Sequence, residues 1–263
     1  MISIDLSGRL VIVTGGGRGV GHGIALRLLE AGADVLICGR KRPESLPRSG
    51  GRDAVFSEGD VRELEAIERV VRAALERFGR LDVLVNNAGG SPAAPAATAS
   101  PRFSEKIIQL NLVAPLHFAQ QANAVMQSQP EGGAIINIAS VSGLRASPGT
   151  AAYGAAKAGL LSLTQTLAVE WAPRVRVNAV AAGMIETELA HLHYGEGAER
   201  ARVAASVPLG RLGTPRDVGD ACVFLASPLA SYVSGATVLV HGGGERPAFL
   251  SALEPGGSSG SDR

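Results

Sequence analysis

The chain is expected to fold as a single doubly wound α/β domain, a mostly parallel seven-stranded sheet with helices on both faces. Three observations predict it. Short β-branched runs alternate with longer helical patterns along most of the 263 residues. Those runs are apolar at successive positions, as strands covered on both faces must be. The first run ends in a glycine-rich turn that opens a helix.

The first strand is RLVIVTG (9–15), followed by the helical GIALRLLEAGA (23–33) and a second strand, DVLICGR (34–40). DAVFSEGD (53–60) makes the third strand, and VRELEAIERVVRAALERFG (61–79) repeats its apolar residues at helical spacing. LDVLVNNAG (81–89) is the fourth strand, with a long helix near 104–127 after it. GAIINIAS (133–140), a helix from about 151 to 172, VRVNAVAAG (175–183), a helix near 215–226 and ATVLVHGG (236–243) complete the series. KRPESLPRSGGR (41–52) and SPAAPAATASP (91–101) read as irregular. The domain is expected to span 1–250, and the tail 251–263, rich in Gly and Ser, to be disordered.

Composition excludes several classes. A net charge of +1 leaves no basic surplus for a nucleic-acid partner. No run of about 18 apolar residues occurs, so no membrane span is expected. The two cysteines, Cys38 and Cys222, have no disulfide or zinc spacing, and a soluble, cytoplasmic protein is the default expectation. Lysine is confined to Lys41, Lys106 and Lys157, and tyrosine to Tyr153, Tyr194 and Tyr232.

The first strand runs into TGGGRGVGHG (14–23). Glycines there let backbone N–H groups at a helix N-terminus approach a phosphate. The loop does not satisfy Gly-x-Gly-x-x-Gly; it satisfies Thr-Gly-x-x-x-Gly-x-Gly, through Thr14, Gly15, Gly19 and Gly21. In a doubly wound sheet ligands bind at the switch point, here between the first and fourth strands, and the fourth ends in NNAG (86–89). A site for an unphosphorylated ribose would place an acid about 20 residues past the glycines. Arg40 stands there instead and no acid follows before Glu44. Arg40, with Arg18 in the loop, can pair with a 2′-phosphate, so NADP(H) is expected over NAD(H), although both arginines also suit a solvated surface.

In TAAYGAAKAGLL (150–161), Tyr153 and Lys157 stand four apart, on one face of a helix, with Cβ atoms about 5–6 Å apart. Carbonyl reduction needs a proton delivered to oxygen by a positioned acid. Bringing a phenol from about 10 toward 7 takes about 4 kcal/mol. An ammonium about 5 Å away supplies about 3 kcal/mol at an effective dielectric near 20. Ser140, at the C-terminal end of its strand, can hold a substrate oxygen; Ser142 competes for that role, and either also suits a plain turn.

These pieces together resemble the short-chain dehydrogenase/reductase family, from about residue 5 to 245. The matching stretches are TGGGRGVG (14–21), GDV (59–61), NNAG (86–89), QLNLVAP (109–115), INIASVSG (136–143), YGAAK (153–157), VRVNAVAAGMIET (175–187) and VSGATVLVHGG (233–243). The resemblance implies a Rossmann-like fold, with Gly15, Arg18, Gly19, Val20 and Gly21 as the loop that holds the cofactor. It implies Tyr153 as general acid/base, and Lys157 as the residue that lowers its pKa and bonds the nicotinamide ribose. Ser140 would hold the substrate oxygen, and Asn111 would position a water relaying protons through Lys157. Asp60 and Val61 would meet the adenine, Asn87, Ala88 and Gly89 would line the adenosine side, and Ile185 and Thr187 would hold the carboxamide. Arg18 and Arg40 match basic positions of NADP(H)-preferring members. The family commonly has Pro-Gly after the sixth strand where this chain has Ala182-Gly183, which is expected to loosen the following loop. A homotetramer or homodimer is also implied, with the Tyr153 helix near an interface.

The segment 184–206 is, by the same resemblance, a mobile lid over the substrate. Its His191 and His193 invite a metal reading, but no metal is expected, since no Cys joins them and the chemistry needs none. His193 or Tyr194 suits substrate contact or solvent equally well, and Arg145 suits an anionic substrate or the surface. Three functions compete: an NADP(H)-dependent oxidoreductase for a ketone and secondary alcohol, a 3-oxoacyl-thioester reductase, and a non-catalytic dinucleotide sensor. Retention of Ser140, Tyr153 and Lys157 together argues against the sensor.

Overall fold

The computed structural model describes residues 4–246. In chain order the elements are β1 (Leu10–Thr14), α1 (Gly19–Glu30), β2 (Asp34–Gly39), β3 (Arg48–Ser49), β4 (Arg52–Asp53), β5 (Val55–Glu58), α2 (Leu64–Phe78) and β6 (Val83–Asn86). They continue with α3 (Pro101–Ile108), α4 (Ala114–Ser128), β7 (Gly133–Ser140), α5 (Ala151–Glu170), β8 (Val175–Ala182), α6 (His191–Tyr194), α7 (Gly197–Ser206), α8 (Pro215–Ala226) and β9 (Thr237–Val240). Seven strands form one sheet in the order β5-β2-β1-β6-β7-β8-β9, and every pairing in it is parallel.

The strand sequences dictate this layering. Along β1, Val11 and Val13 enter one core while Leu10 and Ile12 enter the other; along β2, Val35 and Ile37 face one way, Leu36 and Cys38 the other. Side chains alternate across a strand, so an unbroken apolar run must be covered twice. On one face Ile24 and Leu28 of α1 pack with Val218 and Cys222 of α8. On the other, Ile67 and Val70 of α2 pack with Phe118 and Ala122 of α4 and Leu167 of α5. α1 and α8 touch at glycine: a Cβ on Gly23 would lie 2.7 Å from the Pro215 carbonyl carbon. α8 itself starts at a capping box, the Thr214 side chain receiving the Asp217 N–H while the Asp217 carboxylate receives that of Thr214.

The structure departs from the sequence reading in four places. The stretch read as irregular holds the β3-β4 hairpin, whose turn residues Gly50 and Gly51 have φ of +59° and +76°. Two consecutive positive φ angles define the twist-compatible hairpin turn that glycine supplies without strain. α1 begins at Gly19, four residues before the apolar pattern that marked it, because its first turn is the glycine loop itself. The long helix is interrupted by a π-helical turn, Gln109–Val113, between α3 and α4. The loop after β8 is tied rather than loosened by Ala182. Gly183 N–H bonds Val240 O at 2.9 Å, Gly213 N–H bonds Met184 O at 2.9 Å, and Glu186 N–H bonds Gly213 O at 2.8 Å. The tail 251–263 lies outside the described residues.

Candidate active site

The crevice opens where β1 and β6 part. Thr14 stitches its two sides: its hydroxyl oxygen accepts the N–H groups of Asn87 and Ala88, both at 2.9 Å, and the Asn87 amide donates to Thr14 O at 2.8 Å. Gly15 and Gly21 are small because Asn87 is there. A Cβ on Gly15, whose φ is +64°, would lie 3.2 Å from Asn87 Nδ2, and one on Gly21 would strike the same atom. At the far end of the crevice a Cβ on Gly17 would meet Pro43 at 3.4 Å, so the basic run Arg40-Lys41-Arg42 turns back beside the loop. Arg18 and Arg40 are exposed and neither forms an ion pair among the described residues. Asp60 is gripped by Arg62, whose Nε donates to it at 2.9 Å. That bond, opposed by partial burial and helped by the nearby Arg40 charge, holds the carboxyl below its usual range.

Ser140, Tyr153 and Lys157 converge at the C-terminal end of β7. Ser140 ends that strand, its Oγ accepting the Ser142 N–H at 3.1 Å. The short turn Val141–Gly143 then packs on α5 so closely that a Cβ on Gly143 would lie 2.7 Å from the Ala158 nitrogen. Gly154 has the same cause, since a Cβ there would come within 2.9 Å of Ser142 O. This packing seats Ser140 beside the Tyr153 phenol. Lys157 is 3% exposed; its Nζ donates to Ile138 O at 2.7 Å and lies 5.6 Å from the centre of the Tyr153 ring.

Asn111 sits in the π-helical turn and is wholly buried. Its amide donates to Ile107 O at 2.9 Å and Gly90 O at 3.0 Å, and its Oδ1 accepts the Gly90 N–H at 2.9 Å. A Cβ on Gly89 would lie 2.6 Å from that oxygen and 3.4 Å from Lys157 Nζ. Gly89 thus lies against both Asn111 and Lys157, and π-turns of this kind recur at functional sites.

A family model described as enoyl-(acyl carrier protein) reductase matches residues 15–245. The chain belongs to the short-chain dehydrogenase/reductase family. It is 38% identical over 249 residues to a 3-oxoacyl-(acyl-carrier-protein) reductase of Chlamydia pneumoniae, covering 92% of this chain and 99% of that protein. It is 39% identical over 253 residues to an L-rhamnose 1-dehydrogenase (NAD(P)(+)) of Azotobacter vinelandii, covering 92% and 98%. A solved chain from Sinorhizobium meliloti, provisionally named a short-chain alcohol dehydrogenase, superposes with a TM-score of 0.82 at 36% identity, covering 92% of this chain and 98% of that one.

As a short-chain dehydrogenase/reductase the protein is an oxidoreductase of a family that uses NAD(P)(H) and acts on small molecules. The crevice fits such a dinucleotide. The Gly19 N–H at the α1 N-terminus already takes an anionic oxygen, that of the Glu188 carboxylate, and Arg18 stands exposed beside it. No described helix is long and apolar enough to cross a membrane. Among the described residues no group of three metal-binding side chains occurs, and His191 and His193 are exposed.

One expectation fails in this environment. Burial raises the Tyr153 phenol above its ordinary value; the Ser140 hydroxyl opposes the rise and the Tyr194 phenol adds to it. The phenol is not brought below its ordinary value, and Lys157 is itself desolvated, which brings it from 10.5 down to about 8.

Several contacts escaped the sequence reading. Asn86 donates to Asn137 Oδ1 at 3.0 Å and Asn137 to Thr164 Oγ1 at 2.9 Å, a buried chain linking β6, β7 and α5. Tyr194 is partly buried; burial raises its phenol, the Ile185 backbone opposes, and the Glu245 charge adds. Arg145 pairs with that same Glu245, far away in sequence. Asp60 and Arg62 stand close in sequence, as do Tyr194 and Ile185, whereas the Asn86–Asn137, Asn137–Thr164 and Arg145–Glu245 pairs span 27 residues or more.

Proposed function

We propose that the protein is an NADP(H)-dependent oxidoreductase that interconverts a ketone and a secondary alcohol, with Tyr153 as general acid/base. The observation that carries this reading is the convergence of the Ser140 hydroxyl, the Tyr153 phenol and the buried Lys157 ammonium at the end of β7. When bound, the dinucleotide supplies or accepts the hydride. Ser140 Oγ donates a hydrogen bond to the substrate oxygen and so fixes it beside the phenol. Tyr153 Oη delivers its proton to that oxygen. A phenol held above its ordinary pKa is protonated at neutral pH, which suits the reductive direction. Lys157 Nζ, anchored on Ile138 O, holds positive charge beside the phenolate that forms and bonds the nicotinamide ribose. Asn111 holds the Gly90 backbone in place beside Lys157 and positions the water through which Lys157 exchanges protons.

The loop Gly15, Arg18, Gly19, Val20 and Gly21 takes the diphosphate, Asp60 and Val61 the adenine, and Asn87, Ala88 and Gly89 the adenosine side. Ile185 and Thr187 take the carboxamide. The exposed, unpaired Arg18 and Arg40 support NADP(H) over NAD(H). Reduction of 3-oxoacyl thioesters is the second reading, favoured by the relative of that name at 38% identity. A homotetramer or homodimer is supported by the exposed outer face of α5, where Val169 is 81% exposed. The test is a panel of ketones, 3-oxoacyl thioesters and hydroxysteroids followed by NADPH consumption, with Tyr153→Phe as control. Wild-type turnover that disappears in Tyr153→Phe, with NADPH affinity kept, is expected; turnover retained in the variant overturns the mechanism.

A further inference from the structure

The N-terminus of α1 already receives an anion from the protein itself. Glu188 sets its two carboxylate oxygens on the Gly19 backbone N–H, at 3.1 and 3.3 Å, across 169 positions of sequence. Thr187 lies beside it: a Cβ on Gly19 would be in ordinary van der Waals contact with Thr187 Cγ2 at 3.6 Å and with Glu188 Oε2 at 3.7 Å. Residues 187–188 therefore lie across the glycine loop. Upstream, Met184 and Glu186 are fixed by backbone bonds to Gly213. Downstream, α6 and α7 begin, and α7 is held back to the same stretch by the Arg200–Glu186 ion pair at 3.0 Å. Glu188 is thus a clasp between the glycine loop and the first residues of the lid.

We propose that Glu188 is an internal competitor for the cofactor's diphosphate, displaced from Gly19 when the dinucleotide binds, and that it sets cofactor affinity and release. The inference rests on reading the glycine loop as the dinucleotide site. A carboxylate and a diphosphate cannot share one N–H donor, since both bring negative charge to the same positive helix end. The incoming group carries more charge and has the exposed Arg18 guanidinium beside it, so it wins, but against a standing occupant. Leaving Gly19 releases Glu188 and the chain that leads into α6, so the lid is freed only once cofactor is seated. On product release the carboxylate returns and helps expel the spent dinucleotide.

The experiment compares wild type with Glu188→Ala and Glu188→Gln, using calorimetric titration with NADPH, ADP and adenosine. Glu188 is exposed, so neither substitution removes packing. Glu188→Ala is expected to bind NADPH and ADP about fivefold tighter, with slower NADPH dissociation in stopped flow, while adenosine affinity stays the same. Glu188→Gln, which keeps an acceptor but not the charge, falls between. Amide exchange in 187–196 without cofactor should quicken in the alanine variant. NADPH affinity unchanged or weakened in Glu188→Ala overturns the competitor role, and equal changes for adenosine and ADP overturn its assignment to the diphosphate. If wild type binds neither NADPH nor ADP, the dinucleotide reading of the loop fails first and the inference with it.

Discussion

Replacing Lys157 by Met should destroy turnover and yet make the fold more stable at neutral pH. Lys157 is 3% exposed, and burial brings its pKa from 10.5 to about 8. That displacement corresponds to about 3 kcal/mol against the ammonium in the folded state. The folded pKa is the lower one, so the penalty is complete below about 8 and vanishes as pH rises past 10.5. Over that window the unfolded chain holds a proton the folded one has shed, and this group makes the wild type more stable as pH rises. Methionine has similar length and no charge to desolvate, so it removes the penalty. It also removes the donor on Ile138 O, a loss of about 1–2 kcal/mol. The variant is therefore expected to be about 1–2 kcal/mol more stable at pH 7 and to lose that advantage by pH 10. Urea unfolding of both proteins across pH 7–10 isolates the effect, since every other titrating group cancels in the difference. A pH-independent difference would refute the reasoning, because it would mean that Lys157 is not a buried charge. Loss of turnover by about a thousandfold or more in the same variant would show that the site holds this strain for its chemistry.

Three further outcomes are expected. Arg40→Glu should raise the Michaelis constant for NADPH at least tenfold and lower that for NADH; steady-state kinetics with both cofactors decide it, and an unchanged ratio would remove Arg40 from the 2′-phosphate site. Gly21→Ala places a methyl on the Asn87 amide and should weaken dinucleotide binding about tenfold, read by titration, while full affinity would show that the crevice relaxes around it. Asp82, 4% exposed, accepts from Arg80, from Arg9 at 2.8 Å and from the Leu10 N–H at 2.8 Å. Burial pushes its carboxyl up, but these bonds together pull it below 3.8. Its contribution is complete at neutral pH and is lost as pH falls through the folded pKa. Asp82→Ala should cost about 3 kcal/mol at pH 7 and less in acid; a constant deficit across pH would contradict the ion-pair account.

The sequence by itself determined the layers and the place of the site. Leu10–Val13 or Val35–Cys38, apolar at every position, can only be strands covered twice, and a parallel sheet with helical crossovers puts its crevice where the first and fourth strands end. Tyr153 and Lys157 were legible because helical spacing alone puts them on one face. The β3-β4 hairpin was also written locally, in Gly50-Gly51, though the proline-rich surroundings masked it.

Tertiary structure decided what depends on partners far along the chain. Lys157, which burial drops to about 8, lies against Ile138 of β7 and Gly89 beyond β6, neighbours that no spacing within α5 specifies. The raised Tyr153 phenol follows from the same enclosure, since burial disfavours the phenolate and a charge four residues away on the helix says nothing of burial. Glu188 meets Gly19, Asn137 joins Asn86 to Thr164, and Gly143 packs on Lys157 only because the fold superimposes loops from separate crossovers. Local pattern fixes where a residue points along its own element, whereas pKa values and clasps are set by whatever the other elements bring against it.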